Sequence, residues 1–320
     1  MWIKQCLACG LAITLWHGQV LWAQNYPVKA IRIVAAAAGG SSDFSARLIA
    51  QGISGPLGQP VVVENRGGTG VIAAQTVARS APDGYTLLNY GSNVWLLPFL
   101  QGDLPYDPIR DFAPITLAIR SPNILVVHPS LPVKSVRELI ALAKAYPGGL
   151  NYASGGDGSS NHLAGELFNS IAGVKLVRVP YKGVGPAISD LLSGHVQVMF
   201  ATAGGTAQHI KSGRLRALAV TSLHQTALAP GLPTAAASGL PGYEATSIQA
   251  VFAPSGTPGP VIARLNQEIV RVLNQPEVKE RLFNSGVEAV GSSPEELAAT
   301  IKAEMSRLGK VIREAGIRVK

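Results

Sequence analysis

Residues 154–161 (SGGDGSSN) carry hydroxyls and bare backbone amides at the spacing an anion site needs. They follow Asn151, Tyr152 and Ala153, which read as the tail of a strand. Glycines at 155, 156 and 158 break that strand and leave backbone that no side chain covers. Ser159 or Ser160 can cap a helix, which Leu163, Leu167, Phe168 and Ile171 then mark at helical spacing. The unpaired N–H groups of a helix start, together with its dipole, favour negative charge. An ordinary capped helix after a turn would use the same residues, so this stretch alone does not decide. A second copy adds weight. An apolar strand over 31–34 runs into Gly39, Gly40, Ser41, Ser42 and Asp43, and Phe44, Leu48 and Ile49 continue as a helix. Two such helix starts facing each other across a cleft would suit a small ligand with a carboxylate at each end.

Other chemistries find no support. There is no GxSxG elbow and no HExxH. His128, His162, His195, His209 and His224 form no close pair; His162 shares a helix face with Glu166. Asp43 and Asp157 stand where an aspartate caps a helix. The stretch 68–73 (GTGVIA) fits GxGxxA after a strand, but it is not the first strand–helix turn, and no acidic residue closes a second strand about 20 residues on. No nucleotide cofactor is expected. Both cysteines, Cys6 and Cys9, fall in the leader described next, which excludes disulfides and thiolate metal sites from the rest. No metal is expected.

These residues sit in a chain of 320, with 14% charged and 47% hydrophobic residues, the balance of a well-packed α/β protein. Its net charge is +8, but the basic residues are scattered without a run or aromatic interleaving. That excludes a nucleic-acid partner and leaves a mild field that attracts anions. Residues 1–23 read as a secretion signal, with Lys4 at the start, an apolar centre over 6–15 and cleavage near Ala23. Export is expected.

Short strands are predicted over 61–64, 86–90, 124–127, 176–179, 196–200, 215–220 and 249–253. Gly91 and Ser92 end the third strand from the N-terminus with small polar groups. Residues 201–205 (ATAGG) read as a third small-residue loop, opening with Ala201 and Thr202. Helices alternate with the strands, and three close the chain. Ser135 with Glu138, and Ser293 with Glu296, are capping boxes. The alternation predicts parallel sheets covered by helices, with ligands at the strand ends.

Tyr26-Pro27, GGSSD at 39–43, LGQPVVVENR at 57–66, APDGYTLL at 81–88, NYAS at 151–154, HLAGE at 162–166, VPYKG at 179–183, RALAVTS at 216–222 and APSGTP at 253–258 occur in order along the chain. On these segments it resembles the receptors of the tripartite tricarboxylate transporter family, also called the Bug family. The resemblance implies an α/β, two-domain periplasmic-binding-protein fold of the Venus flytrap, type II-like kind. It implies no enzyme activity, but capture of a small mono- or dicarboxylate between the domains for membrane permease subunits, by a monomer without a cofactor. The ligand residues implied are Gly39, Gly40, Ser41, Ser42, Asp43, Gly91, Ser92, Ser154, Gly155, Gly158, Ser159, Ser160, Tyr181, Ala201 and Thr202. Domain one is expected over 24–122 and 246–320, and domain two over 123–245. The chain departs from the family pattern at Ala35-Ala36-Ala37-Ala38, where a proline and an aromatic are usual, and at Ala201, where many members have aspartate. Ala201 argues against a ligand amine. A sensor for a membrane signalling partner and an exported hydrolase are the alternatives.

Overall fold

A computed structural model describes residues 26–318, apart from 37, 39, 40, 67–69, 156, 157, 182 and 315. The leader and its cleavage point, and Gly39 and Gly40, lie outside the described residues. In chain order the elements are β1 (Ile31–Ala35), α1 (Ser41–Leu57), β2 (Val61–Asn65), α2 (Val71–Ala78), β3 (Thr86–Gly91), α3 (Asn93–Leu100) and β4 (Phe112–Val127). Then come α4 (Val136–Ala145), β5 (Asn151–Ser154), α5 (Ser160–Ala172), β6 (Val177–Pro180), α6 (Val184–Leu192), β7 (Val198–Thr202), α7 (Ala203–Lys211) and β8 (Arg216–Val220). The chain closes with β9 (Thr246–Pro254), α8 (Gly259–Leu273), α9 (Pro276–Asn284), β10 (Glu288–Ala289) and α10 (Pro294–Glu314).

The strands follow the order β2-β1-β3-β9-β4-β7-β5-β6, with β8 and β10 also on β4. Pairing is parallel where a helix carries the chain back, at β1 with β2 and β3 and at β5 with β6 and β7. It is antiparallel wherever β4 or β9 takes part. The sheets are therefore mixed rather than parallel throughout, because parallel neighbours need a crossover and these two strands make none with their partners.

β4 organises the molecule. From Phe112 to Pro122 it pairs with β9, and from Asn123 to Val127 with β7 and β8. The change of partner falls between Pro122, opposite Thr246, and Asn123, opposite Thr202. The sequence announces only residues 124–127 of this strand. Pro114 and Pro122 mask the rest, since proline demotes a strand reading, and the register shifts beside Pro114 absorb the mismatch. The α3 helix is also invisible in sequence, because Pro98 lies inside it and the apolar run NVWLLPFL has no polar face to set a period.

The floor under α5 is aromatic. Tyr152, Phe168, Phe200 and Tyr243 are fully buried and lean on one another edge to face or tilted. Gly165 of α5 lies on this floor; a Cβ there would stand 2.3 Å from a Tyr152 ring carbon. Gly165→Ala should therefore lose about 1–3 kcal/mol through overpacking, read as a lower urea midpoint at unchanged slope. An unaltered midpoint would mean that the ring yields freely.

Candidate functional site

Four segments meet around a cavity of about 480 Å³. The β3–α3 turn brings Gly91, Ser92 and Asn93; the approach to α5 brings Gly158, Ser159 and Ser160. The start of β9 adds Thr246, Ser247 and Gln249, and α10 adds Glu304 and Leu308. Hydroxyls and amides thus share the lining with Leu96, Leu97, Leu100 and Leu163.

Local chemistry builds each side. Ser159 is the N-cap of α5, extended, with its Oγ accepting from the His162 N–H at 3.4 Å. Gly158 has φ +71°, which favours glycine, and its N–H donates to His162 Nδ1 at 3.1 Å. Gly91 permits a close approach, because a Cβ there would stand 3.1 Å from the Ile248 carbonyl oxygen and from Gln249 Nε2. Gln249 Nε2 in turn donates to Ser41 Oγ at 3.3 Å, while its Oε1 is buried without a partner among the described residues.

Glu304 closes the cavity from α10. Its Oε2 accepts from Trp95 Nε1 at 2.7 Å and its Oε1 from Ser92 Oγ at 3.4 Å. Burial pushes its carboxyl up to about 7, against these two hydrogen bonds and the nearby Arg307. Arg307 is itself ion-paired with Glu244. A second cavity, about 640 Å³, lies on the other side of Glu304 and includes Arg120, His224, Glu288 and Glu296.

Of the ligand residues expected from sequence, the cavity gathers Gly91, Ser92, Gly158, Ser159 and Ser160, and Ser41 reaches its wall through Gln249. The others stand apart from its lining. Ser42 is buried, accepting from Ala36 N–H and donating to the Asn89 carbonyl. Asp43 pairs with Arg47 at 2.9 Å and accepts from Asn65 Nδ2. Ser154 Oγ accepts from Arg178 Nε at 2.7 Å, and the Gly155 carbonyl from Arg178 Nη2 at 3.0 Å. Tyr181 donates to Asp190 Oδ2, and burial followed by that partner raises its phenol to about 12. Ala201 is buried within β7. Thr202 stands at the N-cap of α7, so the predicted third loop is a helix start. Gly204 serves packing there, since a Cβ would stand 2.9 Å from the Ser285 carbonyl oxygen.

Sequence reading missed Gln249, Thr246, Ser247 and Glu304. A signal for Glu304 was present: Leu297, Ile301, Glu304, Leu308 and Val311 recur at helical spacing, so the acid lies on the buried stripe of α10. Among the described residues no group of three or more His, Cys, Asp or Glu could hold a metal ion, and no helix is long and apolar enough to cross a membrane.

A family model described as the tripartite tricarboxylate transporter family receptor matches residues 45–317. The chain belongs to that family. Protein BugT of Bordetella pertussis is 39% identical over 302 residues, 93% of each chain. Among solved structures, Rpa4515 of Rhodopseudomonas palustris with adipate superposes at TM-score 0.78 and 37% identity, covering 92% of this chain and 99% of that one. MatC from the same organism with bound malate gives 0.73 and 33%, covering 90% and 100%. The fold of this Bug-family receptor is the α/β, two-domain fold of the periplasmic solute-binding proteins.

Proposed function

We propose that this Bug-family receptor is exported to the periplasm, captures a small mono- or dicarboxylate without catalysis, and delivers it as a monomer to the membrane permease subunits of a tripartite tricarboxylate transporter. The carrying observation is the convergence of two helix starts, at Ser92–Asn93 and Ser159–Ser160, on one cavity. Helix starts present unpaired N–H groups that favour an anion. The two lobes would be 24–122 with 246–320, and 123–245. The change of β4 partners between Pro122 and Asn123 supports that division, and the cavity would then take residues from each lobe.

Relatives that bind adipate and malate support a carboxylate ligand. The leucine wall favours the longer acid here. Each buried methylene contributes about 0.8 kcal/mol, so adipate should bind at least about tenfold more tightly than malate. Hydrogen bonds to a charged group contribute about 1.5–3 kcal/mol, so Ser160→Ala should weaken adipate about tenfold or more. Titration calorimetry with both acids reads both effects. An absence of heat from either acid, or a Ser160→Ala protein indistinguishable from the parent, would overturn the assignment.

A further inference from the structure

Glu304 is a buried acid that carboxylate capture as described above leaves without a role, and its two oxygens are placed unequally. Oε2 is held by Trp95 Nε1 at 2.7 Å, while among the described residues Oε1 meets only the longer contact from Ser92 Oγ, at 3.4 Å. Both Glu304 and Ser92 line the cavity.

The surroundings supply little to hold a negative charge. On α10 the nearby cation is Arg307, committed to Glu244 just ahead of β9. The α3 segment carries no ionisable side chain. The α5 helix turns Leu163 and Ala164 to the cavity, and its Glu166 accepts from Tyr152 while His162 Nδ1 accepts from Gly158. From β9 come Thr246 and Gln249. Behind lie Arg120, paired with Glu288, and His224 and Glu296 in the second cavity. Among the described residues no ion pair joins a cation to Glu304 itself. Its acid form therefore persists close to neutrality.

A serine hydroxyl has one hydrogen to give. While Glu304 is ionised, its oxygens only accept, and the Ser92 hydrogen is spent on Oε1. With a proton on Oε1, the acid O–H donates to Ser92 Oγ, and the Ser92 hydrogen turns into the cavity. A ligand carboxylate accepts that hydrogen, and it also avoids a second negative charge beside it. We propose that Glu304 is the positioning residue for the Ser92 hydroxyl, and that a carboxylate ligand is captured together with one proton, taken from solvent onto Glu304 Oε1. This rests on the cavity being the carboxylate site.

Glu304→Gln keeps the size of the side chain and a donor toward Ser92 but cannot titrate. Calorimetry with adipate at pH 6.5 and pH 8.5, each in two buffers of different ionisation enthalpy, separates the cases. The parent protein should bind adipate at least about tenfold more weakly at pH 8.5, since each pH unit above the pKa of a required acid reduces its population about tenfold. It should take up close to one proton there. Glu304→Gln should give affinities at the two pH values that agree within about twofold, with no proton uptake. Ser92→Ala should weaken binding at pH 6.5 about tenfold. Adipate binding with the same pH slope in the parent and Glu304→Gln, or without proton uptake by the parent, overturns this inference and leaves the receptor assignment standing. No adipate heat in the parent or either variant overturns both.

Discussion

Phe200→Ala is expected to lower the unfolding free energy by about 3–5 kcal/mol, the cost of deleting a buried ring whose site cannot collapse. The ring is fully buried on β7, with centroids 5.5 Å from Phe168, 6.3 Å from Tyr152 and 6.4 Å from Tyr243. Those neighbours come from three other segments and are themselves fully buried, so none can swing in without leaving its own partners. Two further bonds tie the site to this floor: Asn161 Nδ2 donates to the Phe200 carbonyl at 2.5 Å, and Tyr243 donates to the Ala164 carbonyl at 2.9 Å. Loosening the floor should therefore also free the start of α5 and weaken adipate. Phe283→Ala is the control, because that ring is 44% exposed and a surface change of this kind stays within about 0.5 kcal/mol. Urea unfolding of both variants reads the difference, and equal midpoints would discard the account of the aromatic floor.

The same floor marks what sequence could carry. Leu163, Leu167 and Phe168 repeat at helical spacing, so α5 and its Ser159 cap were legible, as were the capping box at Ser293 and the Ser135 cap, although Glu138 there accepts from the Lys134 N–H and does not close a box. Those are local signals, made by residues within one turn of each other. Ser154 and Tyr181 were expected at the ligand from the family resemblance. Their partners, Arg178 and Asp190, lie in other elements, and no local sequence signal announces these internal bonds. Gln249 and Ser92 reach one cavity only because β9 lies beside β3, an adjacency made across the 154 residues that separate Gly91 from Thr246. The long β4 failed for the opposite reason: its prolines are local signals that pairing with β9 overrides.

Raising the pH from about 4.5 to 7 should remove about 3 kcal/mol of stability through Glu304 alone, by linkage of proton binding to folding. An unfolded glutamate releases its proton near 4.3, whereas the folded protein holds it up to about 7, chiefly because burial penalises the charge. Between those values the native state binds a proton that the unfolded chain has lost, so stability falls as pH rises. The contribution is fully present below the unfolded value and is lost as pH passes through about 7. Glu64 and Asp107 have their pKa values lowered, chiefly by hydrogen bonds from Arg66 and Arg110, and so pull the other way. Both are solvent-screened surface pairs with small effects, confined to acid. Glu304→Gln retains an acceptor for Trp95 and removes the titration. Urea unfolding at intervals from pH 4.5 to 8 should give a parent curve that falls through this window and a Glu304→Gln curve that is nearly flat across it. The gap between the curves isolates Glu304 from every other titrating group, because those are common to both proteins. Parallel curves would mean that the carboxyl ionises in the native state as readily as in the unfolded chain, and that Trp95 and Ser92 then hold a charge rather than an acid.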